Sequence, residues 1–204
     1  MTKMHGHSKI VPPTRKIDPE EWPVGDRLRV LRRFSGMEFS WADFLLGEGL
    51  ASAVAMNPYA LFDTHVNNEL NGAANHQMAL SLRELMDNLA KRPGQNGGAT
   101  LLDETGFVLL GELGRFPYIN TNMGKDHFPQ ISVALIGPGL KQGTFGETNR
   151  DMVGQRVSFS TGKPGKDGDL MTLDDVGRSL LEWVGHPSPE SYGYDGRVLE
   201  FMFA

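Results

Sequence analysis

From Glu69 to about Arg92 the apolar residues Leu70, Ala74, Met78, Leu82, Leu85, Met86 and Leu89 recur three and four residues apart, while Arg83, Glu84, Asp87 and Lys91 fall largely on other faces. A stripe of that period predicts a long amphipathic helix, and such a helix must bury one side. Pro93-Gly-Gln-Asn-Gly-Gly98 stops it, and Phe107-Val-Leu-Leu110 then reads as a strand. With a further strand expected over roughly Ala53 to Phe62, the order strand, helix, strand favours a parallel βαβ unit and the α/β class.

The remaining elements are shorter. Ser40-Trp-Ala-Asp-Phe-Leu-Leu-Gly-Glu-Gly-Leu50 offers an N-cap residue, apolar positions at Trp41, Phe44 and Leu45, and a closing glycine. Ile131 to Ile136 is a further expected strand, and the glycine-rich run from Gly137 to Asp169, with alternation around Val157 and Phe159, suggests hairpins. Thr172-Leu-Asp-Asp175 resembles a capping box, predicting a helix to Val184, and Arg197 to Phe203 reads as a last strand or edge. Residues 1–37 contain Pro12, Pro13, Pro19 and Pro23 and are expected to form an extended arm, with residues 38–204 forming one domain.

Composition excludes several function classes. The formal charge is −5, and basic residues are scattered apart from Arg27, Arg29, Arg32 and Arg33, so no basic face suited to nucleic acid is expected. No apolar run approaches the roughly 20 residues needed to span a bilayer. The first residues lack the apolar core of a secretory signal, so the chain as written is not expected to export itself, and its compartment stays open. The absence of cysteine removes disulfides and thiolate ligands, leaving His, Asp and Glu as the strong protein ligands for a metal.

Those residue types gather in two loops. Asp63-Thr-His65 follows the first expected strand, and alternate residues of an extended segment point the same way, so carboxylate and imidazole can face one ion. An Asp capping the following helix, with a His hydrogen-bonded in the loop, is the alternative. The second loop follows Phe107–Leu110 and carries Glu112, Arg115, Asp126 and His127, where an α/β fold delivers side chains to the crevice at its sheet edge. Gly124 and Pro129 flank Asp126 and His127, a rigid setting for hard ligands. Arg115 could offer a planar fork to phosphate, sulfate or carboxylate, or pair with Glu112 or Asp126. Such N/O ligands would suit zinc, manganese or magnesium. His76, inside the long helix, reads as surface or outer shell; Thr64, Thr121 and Ser132 are the local hydroxyls, none in a motif that argues for activation.

Phe62-Asp-Thr-His65, Gly111-Glu-Leu-Gly-Arg-Phe-Pro117 and Gly124-Lys-Asp-His-Phe-Pro129 resemble, in order and spacing, three segments of the DUF1501 proteins, a bacterial sulfatase-like family of the alkaline phosphatase superfamily. In those proteins they read Trp-Asp-Thr-His, Ser-Glu-Phe-Gly-Arg-Thr-Pro and Gly-Arg-Asp-His-Trp-Pro. The Thr172 helix and Asp195-Gly-Arg197 also resemble the family's ending, so the likeness runs from about residue 38 onward and covers its C-terminal half only. Phe62, Gly111, Leu113, Phe116 and Lys125 depart from the family's residues.

The resemblance implies a partial α/β/α sandwich of the alkaline phosphatase-like type with a mostly parallel sheet. It implies a metal-dependent hydrolase acting on a small phosphate or sulfate ester, with Asp63, His65 and His127 at one divalent metal site and Glu112 near a second; the loop residues themselves add Asp126 as a candidate ligand and Arg115 as a candidate anion clamp. Family members are often exported, and the family's amino-terminal half has no counterpart here. A homo-oligomer, or a second chain supplying that half, is therefore expected, and a degenerate non-catalytic structural or binding subunit is the alternative.

Overall fold

The computed structural model of the protein describes residues 37–57, 62–186 and 195–204. The expected arm, apart from Met37, and part of the first expected strand lie outside the described residues. The chain divides into two compact units: one holds the described residues up to Thr105 together with Arg115–His127, the other Gly106–Gly114 and Phe128–Ala204.

The first unit is organised by two helices, α1 (37–47) and α2 (Glu69–Leu89). α1 ends as the glycine predicts: Gly49 takes φ +63, and the amides of Gly49 and Leu50 donate to the carbonyls of Leu46 and Leu45, closing the last turn from both sides. Its buried face is Phe39 and Ala42, whereas Trp41 and Phe44, two of the apolar positions read from the sequence, are exposed and pack edge-to-face on each other. The reason is polar: Asp43 binds α2 and its exit, accepting from Asn88 Nδ2 and Arg92 Nε, each at 3.2 Å, and this fixes which side of α1 turns inward. α2 buries Ala74, Gln77, Ser81, Leu85 and Leu89, one face at helical spacing. Glu104, on the turn Leu102–Glu104, accepts from the amides of Gln95, Asn96 and Gly98 and so shapes the break after α2.

In the second unit β1 (Phe107–Leu109) pairs antiparallel with β4 (Ala134–Ile136), in the register Phe107↔Ile136, Val108↔Leu135 and Leu109↔Ala134. The glycine-rich run contributes isolated antiparallel bridges, Thr148↔Gly154, Val157↔Pro164 and Val157↔Asp169. The helix α3 (Leu173–Trp183) starts at Thr172 in a complete capping box with Asp175. The C-terminal segment is a turn, Glu200–Met202, whose Leu199, Phe201 and Met202 form a core with Leu135, Leu140, Phe145, Phe159 and Val176. Asp175 ties that segment to α3: it accepts from Thr172 and from the Arg197 amide at 2.8 Å, and the Ser179 hydroxyl accepts from the Leu199 amide at 2.8 Å.

The expected partial α/β/α sandwich with a mostly parallel sheet is not what the chain builds. The strands form two short antiparallel pairs, β1 with β4 and β2 (Gly114–Arg115) with β3 (His127–Phe128), and among the described residues no strands pair in parallel. Residues 53–57 form no strand. A central parallel strand is covered on both faces, yet Val108 is 40% and Leu110 51% exposed, so the apolar run that suggested such a strand is a short ladder with one face open. With it falls the physical ground for an unpaired central strand awaiting a second chain.

Two stability tests follow. Leu85, 3% exposed, should cost about 2–5 kcal/mol when truncated to alanine, whereas Asp87→Ala, which removes only an exposed pair with Arg83, should change stability by less than about 0.5 kcal/mol, both read from urea unfolding. Burial pushes the Asp175 carboxyl up, but hydrogen bonds from the Arg197 amide and guanidinium and from Thr172 outweigh it and hold it below the ordinary carboxylate value. A group so lowered contributes stability that is present above its unfolded value and lost as pH falls through its folded one. Urea midpoints should therefore decline on acidification below that ordinary value, and Asp175→Asn should flatten the decline.

Candidate metal centre

The centre lies entirely in the first unit, where the hairpin loop Arg115–His127 closes onto the lead-in to α2. The lead-in offers its backbone to the loop, with an isolated antiparallel bridge between Val66 and Met123. Thr64 O accepts from the Lys125 amide at 2.9 Å, and the amides of Asn67 and Asn68 donate to Asn122 O and Met123 O at 3.2 and 2.8 Å. Approach this close requires glycine at 124, because a Cβ there would collide with the carbonyl oxygens of His65 and Thr64. Thr64 is thereby buried, and its hydroxyl donates to Asn68 Oδ1 at 3.1 Å.

With the backbone so held, Asp63, His65 and His127 each present one ligand atom within 4.8 Å of the others. His65 Nε2 lies 2.9 Å from His127 Nε2 and 3.3 Å from Asp63 Oδ1. A tetrahedral shell with bonds of about 2.0–2.2 Å has ligand edges of about 3.2–3.6 Å, so small shifts seat a divalent ion. The donor chemistry also fits: two imidazole nitrogens that face each other are held apart by lone-pair repulsion unless a proton or a cation lies between them.

Two further side chains set the electrostatics. Arg115 donates from Nη2 to Asp63 Oδ1 at 2.7 Å and to Phe62 O at 3.1 Å, and from Nη1 to Lys125 O at 3.2 Å. The Arg115 hydrogen bond, the largest influence, holds the Asp63 carboxyl below its ordinary value against the opposing effect of burial, with the charges of Arg115 and the two histidines adding to the lowering. Asp126 turns to the other side of His65, with Oδ1 3.6 Å from Nδ1, and a hydrogen bond from Asn120 lowers its carboxyl most. Both acids therefore stay ionised, the form a metal ligand or its neighbour needs.

Of the residues singled out in the sequence, Asp63, His65 and His127 come together, Asp126 stands on the far nitrogen of His65, and Arg115 pairs with Asp63 rather than with Glu112 or Asp126. Glu112 lies on an exposed bend of the second unit and does not belong to the converging group. His76 is exposed on α2. Asn120 was missed, and it is the most heavily engaged side chain of the loop; the turn composition Asn120-Thr-Asn-Met-Gly124 was its one signal in the sequence.

Residues 43–160 match the family model described as Protein of unknown function (DUF1501), a span that contains the whole centre. A search of curated proteins and a search of solved structures found no match. Gly124→Ala should destabilise the chain by about 1–3 kcal/mol through the collision with His65, with the loss read by thermal unfolding.

Proposed function

The chain belongs to the DUF1501 family, and from the ligand set inside the matched segment we propose that it is a metal-dependent hydrolase of phosphate or sulfate esters, with Asp63, His65 and His127 as protein ligands. The observation that carries this reading is the convergence of two imidazoles and one carboxylate from segments 62 residues apart in sequence. Three protein ligands with an open fourth position are the pattern of catalytic rather than purely structural zinc. The group is also reachable, since the side chains of His65 and Asp63 are 40% and 76% exposed.

A divalent ion there would polarise the ester oxygen and stabilise charge developing on the leaving group. The substrate class rests on the resemblance of the three segments to sulfatase-like proteins of the alkaline phosphatase superfamily. Three of the five Arg115 donors are already used within the protein, so its first role is to hold Asp63, and only the remaining N–H groups would meet an anion. The second reading, a metal-binding subunit without catalysis, has one observation in its favour: the Thr64 hydroxyl, which lies between two of the ligands in sequence, is buried and directed to Asn68.

Metal analysis of the purified full chain, combined with hydrolysis of p-nitrophenyl phosphate and p-nitrophenyl sulfate, tests both. We expect about one zinc or manganese per chain, as the one three-ligand group among the described residues requires, and its loss in Asp63→Ala and His127→Ala. Hydrolysis should vanish on chelation and return on metal addition. Metal without hydrolysis favours the second reading, and a chain that takes up no zinc, manganese or magnesium overturns both.

A further inference from the structure

We infer that Asn120 is a positioning residue of the metal centre, fixing Asp126 on the Nδ1 side of His65 so that the Nε2 lone pair is turned toward the ion; this rests on the ligand assignment just proposed. The Asn120 carboxamide uses its full capacity. Nδ2 donates to His65 O at 3.0 Å and to Asp126 Oδ1 at 2.9 Å, and Oδ1 accepts from the amides of Asn122 and Gly124, both at 2.9 Å. Two donors and two lone pairs are all that an asparagine side chain has, so no other residue of this size reproduces the set. Aspartate has the shape but no donors, and would set a second negative charge against Asp126 and the His65 carbonyl.

The consequence lies at the imidazole. Asp126 Oδ1, held by Asn120, stands 3.6 Å from His65 Nδ1, longer than a hydrogen bond but near enough for its charge to favour the ring proton on that nitrogen; Asp63 Oδ1 is nearer to Nε2, at 3.3 Å, but the same oxygen accepts from Arg115 at 2.7 Å, which offsets its pull on a proton there. Nε2 is then the acceptor in the 2.9 Å contact with His127, which supplies the N–H in the metal-free chain. An ion bound there would find His65 already in the ligating tautomer, while His127 would pass its Nε2 proton to solvent and carry its ring proton on Nδ1 instead. Asp126 thus acts as an outer carboxylate that orients a metal-bound imidazole and sets its proton, as such partners do in known sites.

The test compares Asn120→Asp, Asp126→Asn and a control, Glu104→Gln, which loosens the 95–98 loop of the same unit without touching the centre. Zinc affinity is read by competition with a chromophoric chelator, and the His65 tautomer by ring nitrogen shifts in the zinc-free full chain. Asn120→Asp should weaken zinc about 10–100-fold and move His65 away from the Nδ1–H form. Asp126→Asn should move the tautomer the same way, which keeps the test open should Asn120→Asp fail to fold. Glu104→Gln should change only the melting temperature. Unchanged tautomer in Asp126→Asn, or an equal loss of zinc affinity in Glu104→Gln and Asn120→Asp, overturns the inference. A wild-type chain that binds no zinc, with Asp126→Asn still moving the His65 tautomer, refutes the ligand assignment and leaves the Asn120–Asp126–His65 geometry standing.

Discussion

The contact on which the rest of the centre depends is the near-zero clearance between Gly124 and the His65 carbonyl. Two segments distant in sequence lose considerable freedom when they meet, and that entropy must be offset locally. Here the offset is mostly backbone: the amides of Asn67, Asn68 and Lys125 are satisfied across the contact, with Asn120 and Arg115 reaching carbonyls on the far side. The fit has its own cost. Met123 and Asn67 both adopt the left-handed backbone region, at φ 58 and 65, and Met123 is 70% exposed. Asparagine tolerates that region through its short polar side chain, but methionine has no such excuse, so the loop tip stores strain near the candidate centre.

The second unit is held by a different device. Asp175 is nearly inaccessible, yet it is surrounded by donors: the capping threonine, the Arg197 amide and the Arg197 guanidinium, which also lies 4.1 Å over the Phe159 ring. A carboxylate that serves at once as a helix cap and as the anchor of the chain's last ordered turn couples local helix formation to closure of the unit's core. Gly196 completes the fit, since a Cβ there would meet the Asp174 carbonyl.

What could be read from the sequence divides along physical lines. α2, its proline-glycine stop and the Thr172 cap were legible because helical period and capping chemistry are local. The sheet was not. A run such as Phe107–Leu110 has the same appearance in a buried parallel strand and in a three-residue antiparallel ladder, and only the partner strand decides between them. The inward face of α1 was misread for a related reason: Trp41 and Phe44 fit an apolar stripe, but Asp43, engaged by Asn88 and Arg92 some 45 residues later, determines the orientation. Likewise, Asp63, His65 and His127 were identifiable by residue type, while the division of labour between Asp63 and Asp126 depends on which side of one imidazole each approaches.

That division carries the chemical logic of the centre. Asp63 and Asp126 flank His65 on opposite ring nitrogens, and each is held by its own donor, Arg115 for the first and Asn120 for the second. Both donors also bind a backbone carbonyl of the lead-in, Phe62 for Arg115 and His65 for Asn120, so side-chain aim and chain path are fixed by the same bonds. A histidine bracketed in this way loses rotamer freedom in the folded loop itself, which is ordering that the proposed metal site would otherwise have to impose on it.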